Sequence, residues 1–244
     1  MIDWQQLFLF ELILMRMSGF ILFNPLLGRN NLPGTVKAGL IMVLSVSVFG
    51  LDPTLAVEAP SNIIVFALMM CKELGVGFVL GFVMRLFFMV VQVGGEIIDT
   101  QMGMTMAQIY DAGNQSNMTV SASLLNILLV LNFFGENGHY TLMRLLESSG
   151  ELLPYGAAVF GQATASYVAE LFFTCMILAV KLALPILAAE VLGEIGMGIL
   201  MKAIPQINAF VINMELKVII GLVLLFVFFQ KYMVSGLTAG AVKG

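Results

Sequence analysis

The amino-acid sequence predicts an all-α membrane protein, built as kinked helical hairpins from about six apolar segments. Three observations carry this. First, hydrophobic residues make up 60% of the 244 positions and charged residues only 11%. Soluble domains run at about 45–50% and about 25%. So few charges cannot coat a water-soluble globule, so the outer surface must meet lipid or apolar partner faces. Second, apolar stretches stand out at residues 7–23, 36–49, 63–93, 120–134, 167–191 and 209–229, and their Leu, Phe, Met and Ala favour helix. Third, the alternating ten-residue segments of a membrane β-barrel do not appear.

The stretch lengths do not match one slab of lipid. A hydrocarbon core of about 30 Å takes about 20 helical residues. Residues 63–93 would span about 46 Å, and residues 36–49 and 120–134 only about 21–23 Å. Charges point the same way. Lys72, Glu73, Arg85, Lys181, Glu190, Glu215 and Lys217 lie in or near apolar runs. At the centre of a lone spanning helix each would cost about 2.5–3.5 kcal/mol. Their surroundings must therefore supply partner groups, water or headgroups. The basic residues do not fix topology: Arg29 and Lys37 mark the first connection, but residues 94–119 carry Glu96, Asp99 and Asp111 without Lys or Arg.

Breakers mark the joints. Pro25, Pro33, Pro53 and Pro60 punctuate the early connections. Pro185 falls inside the fifth apolar run, where a missing N–H should kink or split the helix. Gly193, Gly196 and Gly198 follow, then Pro205, so residues 190–208 read as a hinge between two helices. No basic n-region or cleavage site precedes the first run, so that run is expected to persist as the first helix. Cys71 and Cys175 sit alone in apolar runs and read as packed core thiols. No fused domain is expected after Lys231, and the chain reads as a single domain over residues 1–244.

Enzyme chemistry finds no support. There is one histidine, His139, and neither HExxH nor GxSxG occurs. No cofactor and no metal site is expected, and the absence of a basic block argues against nucleic acid. Gly75, Gly77 and Gly81 lie within a helical run rather than after a strand, and Gly77 with Gly81 forms a small-xxx-small pair for close helix packing.

The most unusual stretch runs from Gly94 to Asp111. It is polar, contains Gly94, Gly95 and Gly103, and carries Met102, Met104 and Met106 within five residues. Methionine is soft and unbranched, so it can seal an irregular gap and yield when something passes. The stretch reads either as such a seal or as a surface loop with incidental methionines.

Gly94-Gly95-Glu96-Ile97-Ile98, then Gln101-Met102-Gly103, then a run to Tyr110 and Asp111, resembles the signature of the FliR family. These are export-gate subunits of flagellar type III secretion, related to the SctT group of virulence systems. Further landmarks match in order: Pro25, Pro33 and Lys37, then Gly138-His139, then Pro205-Gln206-Ile207-Asn208-Ala209-Phe210, then Leu216-Lys217-Val218-Ile219. Ala112 stands where the family usually has proline after the aspartate, and Asn213-Met214-Glu215 where it often has glycine and proline.

The resemblance implies a fold like a FliP-like and a FliQ-like hairpin joined in one chain. It implies a structural and gating subunit that assembles with FliP- and FliQ-like membrane subunits, beside FlhA- and FlhB-like export proteins. Unfolded flagellar substrates would pass through the channel, in the bacterial inner membrane at the flagellar basal body. The implied pore or plug loop comprises Gln101, Met102, Gly103, Met104, Thr105, Met106, Tyr110 and Asp111, with bends at Gly94 and Gly95. Pro185, Gly193 and Gly196 would give the helix kink. Lys72, Glu73, Arg85, Glu96 and Lys217 would be inter-subunit charges. The competing readings are a virulence secretion subunit and a small-solute transporter or channel; the latter usually shows symmetry between halves, and none is detectable.

Overall fold

The computed structural model describes residues 4–51, 57, 60, 62–111, 113, 116–204 and 209–241. In chain order these form α1 (Trp4–Phe23), α2 (Gly34–Leu51), α3 (Ile63–Met102), β1 (Gln108–Asp111), β2 (Ser116–Thr119), α4 (Val120–Gly135), α5 (Gly138–Leu152), α6 (Gln162–Ala203) and α7 (Ala209–Ala241). Every apolar run of the sequence falls in a helix. Five helices are long and apolar enough to cross a membrane, and a sixth span is possible if α4 and α5 count as one broken segment.

The chain forms two compact units: Met1–Phe87 with Ala112–Asn114 and His139–Phe172, and Phe88–Asp111 with Gln115–Gly138 and Phe173–Gly244. The first is organised on α1. Phe8, Leu9, Leu12, Ile13, Met17, Phe20 and Ile21 are buried. Their spacing keeps them on one stripe of the helix. Leu44 and Val48 of α2, Leu146 of α5 and Tyr155 pack against that stripe. Glycines allow α1 to meet α3 backbone to backbone: a Cβ at Gly77 would lie 2.7 Å from Phe20 N, and one at Gly81 2.9 Å from Phe20 O.

The second unit packs Ile98, Met102, Leu125, Ala183, Ile186 and Leu225 together. Gly94 and Gly95 belong to α3 here rather than to a loop. A Cβ at Gly94 would press on Leu182 at 2.8 Å, and one at Gly95 on Ala122 Cβ at 2.9 Å. The expected bends at these two positions are thus corrected: both are packing glycines, and α3 continues through them to Met102.

Other details also differ from the sequence reading. Helix α6 runs unbroken through Pro185, Gly193, Gly196 and Gly198 to Ala203. A split at Pro185 does not occur: α6 ends at Ala203 and α7 begins at Ala209, and residues 205–208 of the expected hinge lie outside the described residues. Helix α5 carries Arg144, Glu147 and Glu151 and escapes a search for apolar runs. Cys175 is buried, but Cys71 is exposed and is no core thiol.

Candidate functional site

The stretch singled out by its methionines sits between the end of α3 and the start of α4. Helix α3 stops because Gly103 enters the left-handed region, with φ 75°. Gly103 N–H then donates to Thr100 O at 3.2 Å, and Met104 N–H to Asp99 O at 2.8 Å. This is the Schellman pattern, which satisfies carbonyls that a helix end would otherwise leave unpaired. Five residues later β1 begins, and it pairs antiparallel with β2, Gln108 opposite Thr119 and Asp111 opposite Ser116.

The base of this hairpin is pinned by Asp99. The α4 N-cap residue, Thr119, makes no capping bond with its side chain. Instead Asp99 Oδ2 accepts from Ser121 N–H at 2.7 Å, and Oδ1 accepts from Ser121 Oγ at 2.5 Å. A carboxylate from the end of α3 therefore caps the start of α4. Asp99 and Ser121 are both buried, which strengthens these bonds.

The three methionines have three different environments. Met102 is fully buried and lies against Gly221 of α7, where a Cβ would collide with its sulfur. Met104 is half-buried against the same apolar cluster. Met106 is 97% exposed, and Thr105, Ile109 and Tyr110 are exposed beside it. Gln101 is half-buried and its Nε2 donates to Glu194 Oε1 at 3.5 Å. Asp111 is half-buried.

The charges sort equally sharply. Glu73 is buried, and its Oε2 takes Arg16 Nε at 2.6 Å. Its Oε1 accepts from Gly156 N–H at 2.8 Å. Arg16 uses its remaining donors on the end of α5, reaching Ser149 O at 2.9 Å and Leu153 O at 3.0 Å. Its guanidinium carbon stands 4.1 Å from the centre of the Tyr155 ring. The expectation that Glu73 serves a partner subunit is corrected: its charge is consumed inside the first unit. Burial pushes the Tyr155 hydroxyl above its ordinary pKa; Arg16 opposes the shift and Glu73 adds to it.

In the second unit Lys217 pairs with Glu194, so it too has an internal partner. Glu96 accepts from Gln92 Nε2 at 3.3 Å. Glu190 is buried beside Gly221, with neither carboxylate oxygen in hydrogen-bond geometry among the described residues. Lys72 and Arg85 are exposed, with no acidic partner among the described residues. No cluster of metal-ligating side chains occurs among the described residues.

Arg16 and Asp99 are the structural residues that sequence reasoning missed. Arg16 is a charge in an apolar run, the same signal that drew attention to Glu73. Asp99 falls four residues before Gly103, in the last turn of a helix, where an anion opposes the helix dipole and needs a specific partner.

Known proteins resemble this chain over most of its length. The flagellar biosynthetic protein FliR of Escherichia coli (strain K12) is 29% identical over 225 residues, covering 92% of this chain and 84% of that protein. Its namesake in Bacillus subtilis (strain 168) is 27% identical over 222 residues, covering 89% and 85%. The Yop proteins translocation protein T of Yersinia pestis is 27% identical over 231 residues, covering 92% and 87%. The profile of the bacterial export proteins, family 1, matches residues 7–239, and the chain belongs to that family.

Proposed function

We propose that the chain is a structural and gating subunit of the flagellar type III protein export channel, and that residues 1–244 act as one export-gate module. The family match over residues 7–239 carries the reading, and the relatives of 29% and 27% identity named above bear a flagellar name. FliP- and FliQ-like membrane subunits are its assembly partners, with FlhA- and FlhB-like export proteins beside them in the inner membrane at the basal body. Unfolded flagellar proteins are the cargo. Many large apolar side chains on α2, α6 and α7 are exposed in the isolated chain, which fits burial against such subunits and lipid. The subunit performs no bond chemistry.

Within this reading the hairpin of residues 103–119 is the gate element. Its base is fixed by Asp99 and Met102, while Met106, Ile109 and Tyr110 face outward. An apolar constriction dewets and blocks ions, and methionine adapts to a threaded chain. Lys72 and Arg85 are the charges left for neighbouring subunits, and Pro185 with Gly193 and Gly196 shapes α6.

The experiment is co-expression with FliP- and FliQ-like subunits, followed by purification of the complex. A large mixed complex is expected, with residues 105–118 dispensable for assembly but required to keep cells impermeable to ions. A monodisperse, folded preparation of the chain alone, indifferent to those subunits, would overturn the reading.

A further inference from the structure

The second unit carries a groove of about 470 Å³ where α3, α6 and α7 meet. Val90, Leu178, Phe228 and Phe229 give it apolar walls, and Lys181 and Pro185 of α6 complete one side. Lys181 is the one charged residue of this lining among the described residues. It is exposed and has no acidic partner among them. A lysine on a helix face is ordinarily just solvated, but two observations set this one apart. The first is depth. Residues 171–189, between Glu170 and Glu190, carry no other charge. At the helical rise they are about 28 Å long, close to a hydrocarbon core of about 30 Å. Lys181 stands near the middle of that stretch. Its four-carbon stem cannot carry the ammonium the roughly 14 Å to either end, so snorkelling to lipid headgroups does not rescue it. The second is Pro185. Proline has no N–H, so the carbonyl of Lys181, four residues earlier in the same helix, loses its helical donor. One residue thus combines an unpaired ammonium with a carbonyl short of its donor, on the part of α6 that borders the groove.

We infer that this groove seats an apolar helix of a neighbouring subunit, and that an Asp or Glu of that helix pairs with Lys181. A charge at that depth persists only beside a counter-charge or water, and a carboxylate is the counter-charge a protein supplies. A lipid headgroup phosphate would have to leave its own layer to reach it. The occupant is a helix because at membrane depth a segment must satisfy its own backbone. Neighbouring helices also satisfy carbonyls freed by proline, so a hydroxyl or amide donor beside the carboxylate would serve Lys181 O. Leu178 and Phe228, both exposed in the isolated chain, offer the apolar face such a helix packs on. The inference rests on the chain working inside an assembly, as proposed above.

The test is cross-linking of native membranes containing the full chain with a lipid-soluble, zero-length carbodiimide, followed by residue-level identification of the products. An amide from Lys181 Nζ to an Asp or Glu of another polypeptide is expected. The Lys217–Glu194 pair inside the chain is the control, since it too should be joined. If the control link forms and Lys181 stays free, is joined only to an acid of its own chain, or carries a phospholipid phosphate, the inference falls. Lys181→Met, which keeps the length but not the charge, should lower the yield of mixed complex several-fold at an unchanged amount of membrane-inserted chain. Lys181→Arg should recover most of that yield, and a full yield from Lys181→Met would also overturn the inference. Co-purification with FliP- and FliQ-like subunits is scored separately. A chain that co-purifies without the Lys181 link loses the groove and keeps the assembly. A link to a polypeptide unrelated to the proposed partners keeps the groove and counts against that assembly.

Discussion

Asp99, near the end of α3, accepts both the backbone N–H and the hydroxyl of Ser121, the second residue of α4. One carboxylate thus closes the loop from which the hairpin projects. Asp99→Ala should leave Ser121 N–H buried and unpaired. Hydrogen bonds to charged groups contribute about 1.5–3 kcal/mol. The expected result is a normal amount of membrane-inserted protein whose residues 103–119 become sensitive to limited proteolysis. Asp99→Asn, which keeps an acceptor but not the charge, should give an intermediate sensitivity. Unchanged protection in the alanine variant would show that the hairpin is held elsewhere.

The methionines should separate by experiment as they separate by burial. Met102→Ala empties a packed site against Gly221 and Ile98, and such truncations cost about 2–5 kcal/mol. Met106→Ala removes a side chain that touches solvent and should leave thermal stability in detergent within about 0.5 kcal/mol of the parent. If Met106 belongs to the channel seal, its variant raises ion conductance of the assembled gate without lowering its yield. A leak from Met102→Ala alone, with no loss of stability, would reverse these assignments.

Arg16 and Glu73 form a buried pair, and removing one partner strands the other. Arg16→Met should destabilise the first unit by about 3–5 kcal/mol, seen as a lower melting temperature in detergent or lost expression. Combining it with Glu73→Leu should recover part of that loss, because no lone charge remains. Additive losses in the double variant would mean that the pair contributes little as a pair. Lys72→Ala, one residue away but exposed, should leave the amount of membrane-inserted protein unchanged.

Gly95 faces Ala122 with no room for a methyl group. Gly95→Ala should therefore force α3 and α4 apart and cost about 1–3 kcal/mol. Gly103→Ala should act differently, by strain at φ 75° where the helix turns off, with nothing within 4 Å for the new carbon to strike. Melting temperatures of the two variants, each combined with Asp99→Ala, distinguish packing from turn geometry: the first should couple to Asp99, because Ala122 adjoins the Ser121 that Asp99 holds, and the second should be nearly additive, because the turn at Gly103 uses the Asp99 backbone carbonyl and not its side chain.

The helices were legible in the sequence because lipid-facing and core-facing helices share one signal, an unbroken apolar run. That signal says nothing about which glycine bends and which one packs. Gly94, Gly95 and Gly103 look alike in the chain, yet the first two sit under Leu182 and Ala122 while the third ends α3. Charge in an apolar run marks a residue that needs a partner but not whose partner it is, so Glu73 reads as an interface residue in the chain although Arg16 stands beside it in the fold. Helix α5 was invisible because its amphipathic pattern carries Arg144, Glu147 and Glu151 among its apolar positions. The β1–β2 hairpin was missed because four-residue strands of mixed polarity leave no period to read.

The Arg16 cluster also sets a timetable for synthesis. Glu73 lies 57 residues after Arg16, and the carbonyls of Ser149 and Leu153 lie 133 and 137 residues after it. At about 5–20 residues per second, α1 waits roughly 3–11 s for its counter-charge and longer for its remaining acceptors. An arginine in an apolar helix is poorly tolerated by lipid over that interval. The nascent first helix must therefore linger in a wet or protein-lined shelter, beside the insertion machinery, until α3 emerges and relieves it.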